Sequence, residues 1–341
     1  MLAAYCTEAH KFDLRDVTRP EPAAGEVIVR VRSCGVCGSD LHFYHGGFPP
    51  PAFCPGHEIS GEVADVGAGV TAFKPGDRVA VEPQLVCREC WACRTGDYQL
   101  CPRLRILGQT ADGGFAEYLR VPDYTLFALP DAVDLEVGAL TEPLAVTVHA
   151  ARLANIRIGD RVLVLGAGTI GLLAVAAARA AGATDVWITA RHPHQRVAAT
   201  ALGATRVFGG PNADDALADA ARANPVDAII ETVGGTADTI NDALRLVRPA
   251  GTVAVLGVFT TSPSINAVLL LLREVRMVGS MTYGRPGPRA DFDIALQLLA
   301  AEPEKFRTLI THRFALTDIA RGFETAADKR SGSIKVAIQP A

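Results

Sequence analysis

The sequence predicts a mostly β part joined to an α/β part with a doubly wound parallel sheet, and three observations carry that prediction. Up to about residue 150, short alternating strands are separated by turn signals. Beyond it, strand and helix alternate, beginning with the short, wholly apolar Val162 to Leu165, and such alternation implies a parallel sheet. A glycine turn, Gly166-Ala167-Gly168-Thr169-Ile170-Gly171, joins the first of those strands to its helix.

In chain order, Glu26 to Arg32 alternates, with Val27, Val29 and Val31 on one face of a half-buried strand. Gly61 to Val81 repeats the pattern, with turn signals at Val66-Gly67 and Lys74-Pro75-Gly76-Asp77. Val162 to Leu165 is a short apolar strand, followed by the glycine turn and an Ala/Leu-rich helix to Ala181. Later strands are expected at Val186 to Thr189, Ala228 to Glu231, Thr252 to Leu256 and Arg276 to Gly279. From about Tyr283 the texture is mixed again, ending in a strand at Ile334 to Ile338.

Composition excludes several classes. The 341 residues are 49% apolar and 21% charged, which describes a compact chain with a sizeable core. Net charge is −4 with both signs scattered, and no basic run offers a stripe for nucleic acid. Met1 to Asp16 mixes Glu8, Lys11, Asp13 and Arg15 among apolar residues and lacks a signal core. The most apolar stretch, Val162 to Ala178, approaches the roughly 18 to 20 residues of a membrane span. Three glycines interrupt it and Arg179 follows, so a buried strand and helix is expected, with no membrane partner and a cytosolic location. All eight cysteines lie in the first third of the chain, which in a cytosolic protein points to metal rather than disulfides.

Cys87-x-x-Cys90-x-x-Cys93, with Cys101 after a seven-residue spacer, can wrap one tetrahedral ion, as structural zinc sites do. Ferredoxin-type clusters share the first spacings but have three residues in the last, so zinc is expected. Cys37-Gly38-Ser39-Asp40-Leu41-His42 and Gly56-His57-Glu58 offer one thiolate, one imidazole and one carboxylate, three ligands that leave a fourth position open. In Gly166 to Gly171 the first glycine permits a tight turn and the second a close approach of backbone to pyrophosphate. The third lets helix and strand pack, and the helix N-terminus offers free N–H groups to phosphate. About 20 residues on, NAD sites place Asp or Glu at the next strand end. Here that end reads Ala190-Arg191-His192 with Arg196 beyond, which favours the 2′-phosphate of NADP. Thr169, Ile170, Val233 and Gly257 complete the expected cofactor contacts.

Together these motifs, with Glu142-Pro143-Leu144 and Thr311-His312-Arg313-Phe314, resemble the zinc-dependent medium-chain alcohol dehydrogenase superfamily along the whole chain. Within it the sorbitol (polyol) and threonine dehydrogenase branch is the most similar. The resemblance implies a GroES-like catalytic domain from residues 1–150 and 283–341, with a structural zinc lobe at 84–102. It places a Rossmann domain at 151–282. With the two cysteine constellations and the strand end at Ala190-Arg191 it leads to the expectation of two zinc ions per chain, NADP(H) in preference to NAD(H), a small-molecule alcohol substrate, and a homo-oligomer, tetramer or dimer. Cys37, His57 and Glu58 would hold the catalytic zinc, with Glu142 a direct or water-mediated fourth ligand. Ser39 and His42 would form a proton relay, the hydroxyl accepting and donating at once and the imidazole ending the relay at bulk water. Asp40 would fix the tautomer of His57. Animal sorbitol dehydrogenases carry Tyr after the relay His, where this chain has Phe43, and an Arg-Tyr pair where it has Thr282-Tyr283. Tyr283-Gly284-Arg285 echoes threonine dehydrogenases. Polyol, cyclitol and amino-alcohol substrates therefore stay open. So do an NAD-linked threonine-type enzyme and a non-catalytic NADPH-binding protein.

Overall fold

The computed structural model describes residues 1–340. Contacts divide the chain into two compact units, Met1–Glu142 with the segment from Gly284 onward, and Pro143–Tyr283. The first division falls near the start of the helix Thr141–Leu153. The texture change near residue 150 lies at the other end of that helix, because a continuous helix carries no turn signal to mark where contacts change sides.

The first unit is a seven-stranded sheet ordered Ile310–Ala315, Lys335–Gln339, Glu26–Gly35, Glu58–Val66, Arg78–Val81, Leu126–Ala128, with Tyr118–Pro122 also paired to Glu26–Gly35. The inward residues Val27, Val29, Val31, Val79, Val81 and Ile338 close over Phe115 and Phe323, all within 1% of full burial. Each such side chain contributes about 1.5–3 kcal/mol by leaving water. Two registers matter for chemistry. Gly35 pairs with Glu58 on one side and with Ala337 on the other, so strands from opposite ends of the chain flank one glycine.

The second unit is a six-stranded parallel sheet ordered Arg206–Phe208, Asp185–Thr189, Arg161–Leu165, Val226–Glu231, Val247–Val255, Arg276–Gly279. In sequence order this is 3-2-1-4-5-6, the Rossmann arrangement, whose strand order reverses between strands one and four. The apolar stretch from Val162 resolves into the strand and the helix Thr169–Ala180, whose residues Gly171 to Ala178 are all buried. Among the described residues no helix is long and apolar enough to cross a membrane. Opposite in character is the helix Ala267–Arg273, which buries none of its residues and leaves Val268, Leu271 and Leu272 62–75% exposed.

Candidate active site

Cys37 caps the helix Gly38–Tyr44, and Asp40, three residues on, reaches back so that its Oδ2 accepts from Cys37 N–H at 2.9 Å. The same buried carboxylate lies with Oδ1 3.7 Å from Nδ1 of His57. One side chain thus restrains two of the three candidate ligands. His57 and Glu58 open the strand Glu58–Val66 and are 5% and 1% exposed. The ligand atoms of Cys37, His57 and Glu58 all fall within 4.8 Å of one another. Burial pulls the His57 pKa down, but Asp40 and the Cys37 thiol push harder, leaving it well above its ordinary value. A pocket that holds a proton this firmly on imidazole also favours a cation. A mixed S, N, O set with room for a fourth partner suits a catalytic zinc.

Ser39 Oγ is buried and has no hydrogen-bond partner among the described residues, an unusual state for a hydroxyl unless a ligand supplies the partner. His42, one helical turn later, is half-buried, with its ring edge-to-face to Phe48 at 5.7 Å. Glu142 is buried and its carboxyl is pushed up to about 7, by burial first and by Glu58 and Asp40 against the pull of His57. Its oxygens lie outside the mutually close group formed by Cys37, His57 and Glu58. As a partner to an ion it therefore fits the water-mediated form better than the direct one.

No motif pointed to Lys335. It is 3% exposed, in the last strand, and its Nζ donates to both oxygens of Glu58 at 2.6 Å and to Val36 O at 2.9 Å. Burial lowers its pKa, but Glu58 and Cys37 more than reverse that, so the ammonium is the stable form. The signal was present as a lone cation in the apolar run Ile334 to Ile338, on a strand whose neighbours sequence could not identify.

Cys87, Cys90, Cys93 and Cys101 also bring their sulfurs within 4.8 Å of one another. Cys90 caps the short helix Trp91–Thr95, and Gly96 ends it in a left-handed conformation. Cys90 N–H points at Cys87 Sγ at 3.3 Å, and Arg103 N–H at Cys101 Sγ at 3.4 Å. The N–H groups of Glu89 and Cys90 draw Cys87 down to about 5, whereas burial and neighbouring thiols push Cys93 up to about 12. The lobe is fastened to its unit by Arg285 N–H on Gly96 O at 2.7 Å and by Tyr98 OH on Glu82 Oε1 at 2.6 Å.

In the second unit Gly166 turns with φ +97°, and Gly168 leads into the helix with nothing within 4 Å of where a Cβ would be. A Cβ on Gly171 would fall 1.9 Å from Gly166 O, so helix and strand touch there. Thr169 and Ile170 form the first turn of that helix, presenting its N-terminus. Thr189 Oγ1 accepts from Gly166 N–H at 2.9 Å. Ala190 is buried at the next strand end, Arg191 is exposed, and His192 caps the helix Pro193–Ala201. Arg196 Nη1 lies 3.2 Å from where a Gly209 Cβ would sit, and that position is also 2.0 Å from Ala190 O. Arg196 is therefore directed at the end of the strand that Arg191 merely follows. Val233 is partly exposed beyond Glu231, whose Oε1 accepts from Val233 and Gly234 N–H, and Gly257 is packed against Glu231 Oε2 and Gly234.

Comparison with known proteins agrees in both halves. The Alcohol dehydrogenase GroES-like domain family matches residues 23–131, and the Zinc-binding dehydrogenase family matches residues 169–301. The chain is 36% identical to L-arabinitol 4-dehydrogenase of Aspergillus oryzae, over 92% of this chain and 86% of that one. It is 32% identical to sorbitol dehydrogenase of Bacillus subtilis, over 100% and 97%. A zinc-binding dehydrogenase from Sinorhizobium meliloti 1021, solved bound to NADP, superimposes with TM-score 0.88 at 34% identity, covering 99% of each chain.

Proposed function

The chain belongs to the zinc-dependent medium-chain alcohol dehydrogenase superfamily, and from that premise we propose that it oxidises a secondary alcohol of a polyol, sugar alcohol or cyclitol to the ketone with NADP. Zinc and a nicotinamide dinucleotide are the cofactors of this enzyme class. The finer reading has one zinc at Cys37, His57 and Glu58, a second in the four-cysteine lobe, and a catalytic domain assembled from both chain ends. The observation that carries it is the meeting of Cys37, His57 and Glu58 beside a buried Ser39 hydroxyl with no partner among the described residues.

Zinc bound there supplies a Lewis acid that makes the substrate alcohol more acidic. The chain's own residues do the rest. Ser39 accepts the alcohol proton and passes it along its helix face to His42, which releases it. Asp40 keeps Cys37 and His57 in place. Gly166 to Gly171 seat the pyrophosphate, and Arg196 with Arg191 meets the adenosine 2′-phosphate at a strand end that has no carboxylate. The polyol and sugar-alcohol substrates named for the relatives support the substrate class, and the NADP of the Sinorhizobium protein supports the cofactor. Eight free cysteines, seven of them between Cys34 and Cys101, suit a reducing cytosol. The exposed leucines of Ala267–Arg273 beside the sheet-edge strand Arg276–Gly279 suit burial against a second copy in a homo-oligomer.

The test is a panel of polyols, cyclitols and L-threonine assayed with NAD and with NADP, followed by absorbance of the reduced cofactor. Turnover of a polyol or cyclitol with NADP is expected. Selective turnover of L-threonine with NAD would replace this reading by the threonine-type one.

A further inference from the structure

Lys335 is a fully buried cation, and its whole hydrogen-bonding capacity is spent inside the candidate metal centre. Two of its three ammonium hydrogens go to the two oxygens of Glu58, each at 2.6 Å, and the third to Val36 O at 2.9 Å. Val36 is the residue before Cys37, so the same ammonium ties down the chain entering the thiolate ligand. Gly35, the ladder partner of Glu58, presents no side chain against which the carboxylate could rest. Within the narrow space that Gly35 leaves, Lys335 is the hydrogen-bonding partner that holds both oxygens of Glu58.

A carboxylate has about four lone-pair sites, and Lys335 occupies one on each oxygen. What remains can reach an ion, but the donor is weakened, because an ammonium on both oxygens draws their charge toward itself. Zinc that receives less charge from Glu58 stays a stronger Lewis acid toward a substrate oxygen. Removing the ammonium would leave a buried carboxylate whose nearest source of positive charge is the metal, and burial without a partner is costly. The carboxylate would then commit fully to the ion.

We propose that Lys335 is a positioning residue of the dehydrogenase: it competes with the catalytic zinc for Glu58 and keeps that ligand only partly committed to the metal. This rests on Cys37, His57 and Glu58 being the catalytic zinc set. That premise has its own control, since cobalt placed at this set must give a thiolate charge-transfer band that Cys37→Ser abolishes.

The experiment compares cobalt- and zinc-loaded native protein with Lys335→Met and Lys335→Arg. In Lys335→Met the visible cobalt bands shift and a chelator removes the catalytic ion about 10-fold more slowly, while kcat falls about 10-fold or more, the range for partners of metal ligands. Lys335→Arg, whose planar fork also holds both oxygens, returns the spectrum and the release rate toward native. Should Lys335→Met not accumulate as folded protein, Lys335→Gln gives the same comparison, being neutral yet able to donate to one oxygen. Native cobalt bands with unchanged or faster ion release, accompanied only by lowered thermal stability, would overturn the proposal and leave Lys335 a purely structural cation.

Discussion

Gly35 lies opposite Glu58 in the antiparallel ladder, and a Cβ placed on it would fall 1.9 Å from Glu58 Oε2. No rearrangement short of moving the carboxylate relieves that contact. Gly35→Ala is therefore expected to cost about 1–3 kcal/mol of stability, the range for overpacking. It should also lower the zinc content of the catalytic set, while the four-cysteine lobe keeps its ion. Thermal unfolding together with metal analysis checks both, and full retention of zinc and activity would show that Glu58 has freedom the ladder does not suggest.

Metal analysis should find two zinc ions per chain. Cys37→Ser should lose one ion and nearly all turnover with the fold intact. Cys93→Ser should instead lower the unfolding temperature, because a closed four-thiolate site contributes folding free energy directly. The protein should be colourless. A brown protein containing iron would mean the lobe holds an iron–sulfur cluster.

The unpartnered hydroxyl of Ser39 makes the relay testable. Ser39→Ala should lower kcat by roughly 100-fold, within the range for a lost proton transfer. His42→Ala should cost less, since water can replace a half-buried imidazole, and it should alter the pH profile of alcohol oxidation. Undiminished turnover by the Ser39 variant would remove it from the mechanism.

For the cofactor, the decisive quantity is the ratio of kcat/KM with NADP and NAD. A charge-assisted pair to phosphate is worth about 1.5–3 kcal/mol, so a preference of roughly 10- to 150-fold for NADP is expected. Ala190→Asp with Arg191→Leu adds repulsion and removes attraction. Because Arg196 is directed at the same strand end, Arg196→Leu should be needed to complete the switch toward NAD. A native protein that prefers NAD would show that both arginines face solvent.

Glu82, which holds the four-cysteine lobe through Tyr98, gives a stability prediction of its own. Burial, with Asp291 and Asp293 nearby, raises its carboxyl from 4.5 to about 7 against the opposing Tyr98 hydrogen bond and Arg285. The folded state thus binds this proton more tightly than the unfolded chain. Its contribution to stability is complete below about pH 4.5 and is lost as pH rises through about 7, by at most about 3 kcal/mol. Glu82→Gln still accepts from Tyr98 but cannot ionise, so its unfolding midpoint should fall less between pH 5 and 8 than that of the native protein. Parallel curves for the two proteins would rule the carboxyl out as the cause.

What could be read in sequence and what could not divides on physical lines. The inner parallel strands were legible because burial leaves them mostly apolar, as in Val162 to Leu165. Arg276–Gly279 has the bounds its residues suggest although it is largely exposed, whereas the edge strand Arg206–Phe208, three residues opening on an exposed arginine, was not expected. Val247–Val255 begins before Thr252, because Pro249-Ala250-Gly251 reads as a loop although the chain continues in the sheet, with Ala250 at φ +57°. The hairpin Leu2–Glu8 with Lys11–Asp16 went unread since its second strand is largely exposed and charged. Cys87, Cys90, Cys93 and Cys101 advertise their lobe because the four sulfurs come together from one short stretch of chain. Lys335 was hidden, since nothing in spacing indicates which strand lies two places from Glu58 across a shared neighbour.

Lys335 and Glu58 are 277 residues apart in the chain. At about 5 to 20 residues per second, a ribosome needs on the order of 15 to 55 s to travel from one to the other. Throughout that interval the newborn carboxylate has no cation of its own, while Cys37 and His57 already exist beside it in sequence. The strands of the parallel sheet, by contrast, all lie between Arg161 and Gly279 and can pair before the last strand emerges. The order of birth thus runs against the order of function. The parallel-sheet unit can close during synthesis, and the candidate metal centre is completed only when its final strand arrives from the tunnel.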